Sequence, residues 1–195
     1  MWRQIPNILT MGRVLAVPVM VYALWVLLDT DHPVFWSLLG TSLFFVAAMT
    51  DWADGVLARR WEIVSRFGKL ADPLADKMLT MACFVMFVQL EWLPGWLVVL
   101  ILLRETAVNS LRMLALDEGV LISAGTGGKW KTVLQFCGIG LLLLHPAFLG
   151  IPAVASWPLR TAGEWTIWGS TLLSLVSAIE YFVAYFRAPT PNATA

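Results

Sequence analysis

Six apolar runs follow one another along the chain with turn-forming or charged breaks between them, each near the roughly 20 residues needed to cross the hydrocarbon core of a bilayer. They cover residues 8–28, 33–58, 70–92, 95–114, 130–149 and 165–186. A backbone in lipid must satisfy its N–H and C=O groups within its own segment, so each run is predicted to be a helix. The runs lack the alternation of apolar and polar residues that a membrane barrel needs. The expected fold class is therefore all-α, a polytopic membrane protein with six transmembrane helices. Residues 1–187 are expected to form one membrane domain, and the Pro-, Thr- and Ala-rich tail at 188–195 is expected to be disordered. Composition agrees. Some 59% of residues are hydrophobic and 13% charged, about half the charged share of an ordinary soluble domain. The N-terminus lacks the pattern of a cleaved secretory signal, so Met1 onward is expected to stay in the mature protein.

The formal net charge is zero, and the distribution of charge carries more information than its sum. Arg3, Arg13, Arg59, Arg60, Arg66, Lys69, Arg112, Lys129, Lys131 and Arg187 all fall on one side of the six spans. The opposite loops, around 29–32, 91–94 and 146–164, hold only Arg160. Lysine and arginine are retained on the cytoplasmic side, which predicts that both termini are cytoplasmic; the expected location is the cell's inner membrane. Trp25, Trp36, Trp92, Trp96, Trp157 and Trp165 then fall near the outer interface, where amphipathic rings anchor a helix end. No nucleic-acid partner is expected.

Cys83 and Cys137 lie inside apolar runs, where packing as small apolar side chains is the default. Asn192 opens a glycosylation sequon that a cytoplasmic C-terminus would keep from the glycosylating machinery. The segment 119–129 is rich in glycine and ends in Gly128-Lys129, but Trp130 stands where a phosphate loop needs Ser or Thr. It is expected to be a cytoplasmic connector.

The chemistry concentrates in residues 51–76. Asp51, Asp54, Asp72 and Asp76 sit at or within the cytoplasmic ends of two apolar runs. A carboxylate at the centre of a membrane helix costs about 2.5–3.5 kcal/mol on insertion scales, so four together need a compensating partner. On a helix Asp51 and Asp54 are about 60° apart and Asp72 and Asp76 about 40° apart, so each pair shares a face. If the two helices are antiparallel neighbours, the pairs can converge. Divalent cations would relieve their repulsion, and an all-oxygen set suits Mg2+ or Mn2+. A salt-bridged cluster and the ion site of a non-enzymatic cation transporter are the competing readings. A transporter would place its acids near the midplane, often with internal repeats, and the chain shows neither.

Asp51, Asp54-Gly55, Ala58-Arg59, Gly68, Asp72 and Asp76 stand at fixed spacings that resemble the signature of the CDP-alcohol phosphatidyltransferases, with every fixed position present. The resemblance implies a two-metal transferase. Asp51, Asp54, Asp72 and Asp76 would hold two Mg2+ or Mn2+ ions, and Asp76 would also take the proton of the acceptor hydroxyl. Gly55, Ala58, Arg59, Ser65 and Gly68 would bind the CDP-lipid, with Arg59 neutralising the diphosphate. Such chemistry suits two ions, which together neutralise the phosphoryl oxygens, align the nucleophile and relieve charge on the leaving phosphate. The resemblance also implies a homodimer.

The signature leaves the acceptor open. Asn7, Thr10, Arg13, Arg104-Glu105, Arg112 and Gly128-Lys129-Trp130-Lys131-Thr132 resemble, in order and spacing, bacterial members of the family that use CDP-diacylglycerol and glycerol 3-phosphate. Arg112, Lys129 and Lys131, with Arg104, would supply a cationic pocket for the acceptor phosphate. Snorkelling to the interface is the plainer role for the three basic residues. Inositol phosphate, serine and phosphatidylglycerol are the alternative acceptors. Arg104 and Glu105 are adjacent in an apolar run and do not share a face, so each is expected to have its own partner in the bundle.

Overall fold

The computed structural model describes the backbone of residues 5–61, 66–119 and 127–187, and side chains at 11–12, 14–50, 77–119 and 130–187. Among the described residues there are six helices and no strand. They are α1 (Ile5–Val26), α2 (Pro33–Trp61), α3 (Arg66–Gln89), α4 (Gly95–Asp117), α5 (Gly127–Leu149) and α6 (Leu159–Arg187). One helix forms on each apolar run. Among the described residues three segments, Pro33–Thr50, Trp130–Leu149 and Leu159–Arg187, are long and apolar enough to cross a membrane. Helix α4 has similar length but carries Arg104, Glu105 and Arg112 within it.

The last connector is shorter than expected. Helix α5 continues through Pro146 and α6 begins at Leu159, so residues 150–158 replace the expected loop 146–164. A proline withholds one backbone N–H from its helix, and such a break is tolerated where a neighbouring hydroxyl supplies hydrogen bonds. Ser37 of α2 does so here, bonding to Leu143 and Ala147 on either side of the proline.

The chain divides into two compact units, Met1–Leu93 with Gly140–Arg160, and Pro94–Ile139 with Thr161–Ala195. In the first, α1 packs against α2 and α3, and α2 also touches α3. Residues at helical spacing line the buried faces, Val17, Met20 and Leu24 on α1 and Leu79, Cys83 and Phe87 on α3. Cys83 Sγ lies 3.6 Å from Met20 Sδ, so this thiol serves as a small packing group between α1 and α3. Helix α3 ends where Glu91 takes a left-handed φ of 57°. The Phe87 carbonyl then receives the N–H groups of Trp92 and Leu93 at 2.9 and 3.2 Å. Arg160 Nη2 donates to the Glu91 carbonyl at 2.9 Å.

In the second unit α4 buries Leu97, Ile101, Arg104, Val108, Leu111 and Ala115, spaced alternately by four and three. Val108 and Leu111 pack with Ala178 and Tyr181 of α6. Glu118 and then Gly119, at φ 72°, terminate α4. Every helix also leaves large apolar side chains exposed, among them Leu15, Val46, Val85, Leu103, Val133 and Leu172. In water such a surface would aggregate, whereas against lipid tails it is the matching solvent. Trp25, Trp96, Trp157 and Trp165 are exposed, while Trp36 and Trp92 are half-buried, edge-on to Tyr22 and to His145 respectively.

Candidate active site

The acidic signature lies on two continuous helical backbones of the first unit. Helix α2 runs unbroken through Asp51, Asp54, Gly55, Ala58 and Arg59, and α3 carries Gly68, Asp72 and Asp76. Asp54 therefore follows Asp51 by three helical positions, and Asp76 follows Asp72 by four. The members of each pair are separated by about one turn, roughly 4.5 Å of axial rise for the first and about 6 Å for the second. The candidate ligands that the signature offers are four carboxylates. That composition fits a hard divalent cation such as Mg2+ and gives no preference for zinc or copper. The side chains of residues 51–76 lie outside the described residues, as does all of Ser65.

The basic residues assigned to the acceptor belong to the second unit, and three of them have described side chains. Arg104 is 8% exposed despite its charge. Its Nε donates to the Ser174 carbonyl at 2.8 Å, and its Nη1 donates to Glu105 Oε1 at 2.9 Å. The same carboxylate oxygen accepts from Lys131 Nζ. Ser170 Oγ donates to the Lys131 carbonyl at 2.9 Å. These bonds join α4, α5 and α6 through charges that low-dielectric surroundings would otherwise penalise.

Arg104 and Glu105 each find a partner in the bundle as expected, and the two side chains also bond to one another although they do not share a face. Both side chains are long enough to reach round the 100° between successive helical positions and meet. Each has a further partner as well, Ser174 for the arginine and Lys131 for the glutamate. Arg112 is exposed, with its guanidinium carbon 5.9 Å from the centre of the Tyr181 ring. Lys129 lies in the first turn of α5, and its side chain is outside the described residues.

Several participants were not singled out from sequence. Ser170, Thr171 and Ser174 are buried on α6, and the one-turn spacing of the two serines was the available signal. Tyr185 donates to Glu118 Oε2 at 2.7 Å, tying the last turn of α6 to the residue that caps α4. Elsewhere in this unit a cavity of about 410 Å³ is lined by Leu100, Leu103, Ala107, Leu175, Ile179 and Phe182 among others. Arg104 also borders it, but the lining is nearly all carbon and suits hydrocarbon.

The family model of the CDP-alcohol phosphatidyltransferases matches residues 3–176. A Bacillus subtilis protein named CDP-diacylglycerol–glycerol-3-phosphate 3-phosphatidyltransferase is 35% identical over 193 residues, covering 94% of this chain and 96% of the relative. A Haemophilus influenzae protein of the same name is 35% identical, covering 84% of this chain and 88% of the relative. One from Rickettsia bellii is 32% identical, covering 92% and 94%. With the full acidic signature carried on two helices and a match that runs through nearly the whole length, the chain belongs to the CDP-alcohol phosphatidyltransferase family.

Proposed function

We propose that this protein transfers a phosphatidyl group from CDP-diacylglycerol to glycerol 3-phosphate, forming phosphatidylglycerophosphate and releasing CMP. The observation that carries the reading is end-to-end similarity to relatives named for that reaction, at 35% identity over 94% of this chain in the Bacillus case. The acceptor hydroxyl oxygen bonds to the phosphorus that bears diacylglycerol. The bond from that phosphorus to the bridging oxygen breaks, and CMP leaves with its electron pair.

In this reading Asp51, Asp54, Asp72 and Asp76 hold two Mg2+ or Mn2+ ions. When bound, the ions neutralise the phosphoryl oxygens and lower the cost of charge on the departing phosphate. Asp76 accepts the proton that the acceptor hydroxyl loses. Arg59 balances the diphosphate charge, while the small residues Gly55, Ala58 and Gly68 let the flat cytidine approach two helices closely, and Ser65 contributes to nucleotide binding. Arg112, Lys129 and Lys131 receive the acceptor phosphate. All six helices span the membrane, both termini are cytoplasmic, and the site faces the cytoplasm, where charged substrates are soluble. The working form is a homodimer.

The test is acceptor use by purified protein in lipid or detergent micelles with CDP-diacylglycerol and Mg2+. Glycerol 3-phosphate, glycerol, serine, inositol phosphate and phosphatidylglycerol are supplied in parallel. CMP release and phosphatidylglycerophosphate formation with glycerol 3-phosphate are expected. Preference for another acceptor would overturn the substrate, and no CMP release with any of them would overturn the transferase.

A further inference from the structure

We propose that Glu105 is the positioning residue of the acceptor pocket, holding the Lys131 ammonium where it meets the acceptor phosphate. The inference rests on the glycerol 3-phosphate reading above.

A lysine beside a charged substrate has a placement problem. Its four-carbon stem is flexible, and near the end of a membrane helix it tends to extend toward water. Lys131 does neither, because its side chain is only 11% exposed and its ammonium bonds to Glu105 Oε1. The carboxylate is itself oriented. Arg104 Nη1 donates to the same oxygen at 2.9 Å, and Arg104 Nε is anchored on the backbone carbonyl of Ser174 at 2.8 Å. A line of bonds thus runs from the α6 backbone through Arg104 and Glu105 to Lys131. Ser170 fixes the other end by donating to the Lys131 carbonyl at 2.9 Å.

This arrangement separates the two buried cations by role. The Arg104 guanidinium gives two of its five N–H donors to the α6 backbone and to Glu105, and through them it aims the carboxylate. The Lys131 ammonium stands at the far end of the line, five positions into α5 and two after Lys129. An ammonium ordered before the phosphate arrives loses less freedom on binding it, which is the advantage of a pre-organised site. Glu105 supplies that order, and its negative charge makes a buried ammonium tolerable.

The test varies each substrate separately for Glu105→Gln and Glu105→Asp, with unfolding temperature in detergent measured alongside. Glu105→Gln is expected to raise KM for glycerol 3-phosphate about tenfold, equivalent to about 1.4 kcal/mol. KM for CDP-diacylglycerol should stay within about twofold, since the donor is held elsewhere. Glu105→Asp keeps the charge one carbon short and should fall between the two, so it decides the matter if Glu105→Gln does not fold. In a Lys131→Gln background Glu105→Gln should add little, because residues acting through one another are non-additive. Equal shifts in both Michaelis constants, no shift in either, or effects that multiply in the double variant would each overturn the proposal and leave Glu105 a structural ion pair. Wild-type protein that ignores glycerol 3-phosphate would overturn the acceptor reading itself, before any variant is made.

Discussion

The buried hydroxyl of Ser37 donates to the carbonyl of Leu143 at 2.5 Å, although the two residues are 106 positions apart. The same hydroxyl oxygen accepts the N–H of Ala147 at 3.2 Å, so one side chain of α2 serves both ends of the helical turn that contains Pro146. Ser37→Ala leaves a carbonyl and an N–H in dry surroundings with a weakened set of partners. The expected cost is about 1–3 kcal/mol. It should appear as a lower unfolding temperature in detergent, with activity per folded molecule close to wild type.

Gly138 marks a close approach of α5 and α6 in the second unit. A Cβ there would lie 2.6 Å from Ile167 Cδ1 and 3.2 Å from the Gly163 carbonyl oxygen. Ile167 is fully buried and has little room to retreat. Gly138→Ala should destabilise the protein by about 1–3 kcal/mol, the usual range for overpacking. Adding Ile167→Val, which removes the crowding Cδ1, should recover part of the loss in a thermal unfolding assay.

Asp51→Asn and Asp72→Asn test the two-metal reading directly. Each removes one carboxylate charge at nearly constant size, so the fold should survive. Transfer is expected to fall at least about a hundredfold, the scale on which electrostatic stabilisation of a transition state acts. A chelator should abolish wild-type activity and added Mg2+ restore it. Near-normal activity in either variant across a Mg2+ titration would remove the model.

Asp76→Asn separates a base from a plain ligand. Loss of a general base should lower turnover about 100- to 10,000-fold, while binding of the CDP-lipid weakens far less, because the missing step belongs to the transition state. Equal losses in turnover and binding would make Asp76 a metal ligand alone.

Arg112 is exposed and its guanidinium lies over the Tyr181 ring at 5.9 Å, so it is partly oriented without a carboxylate of its own element. Arg112→Gln should raise KM for glycerol 3-phosphate by roughly 10- to 150-fold, from loss of a charge-assisted contact of about 1.5–3 kcal/mol. KM for CDP-diacylglycerol should change little. A rise confined to the donor would place Arg112 outside the acceptor pocket.

The helices and the acidic signature were legible in sequence for the same physical reason. Backbone satisfaction within lipid is a local requirement, so an apolar run such as 33–58 becomes a helix whatever it packs against, and α2 covers it from Pro33 to Trp61. Helical periodicity then converts the spacings of Asp51 with Asp54, and of Asp72 with Asp76, into shared faces without reference to the rest of the chain. The lateral partners were not legible. Phe44 and Phe45 are neighbours of identical chemistry, yet one is fully buried and the other 47% exposed. In water the exposed position would have been polar, but a helix bathed in lipid is apolar on both faces, and hydrophobicity cannot tell core from surface. The pairing of Glu105 with Lys131, 26 positions away on another helix, and of Ser37 with the turn at Pro146, depends on which faces meet. Only tertiary packing decides that, because the energy comes from close contact and from buried polar groups finding one another, and neither leaves a period in the sequence.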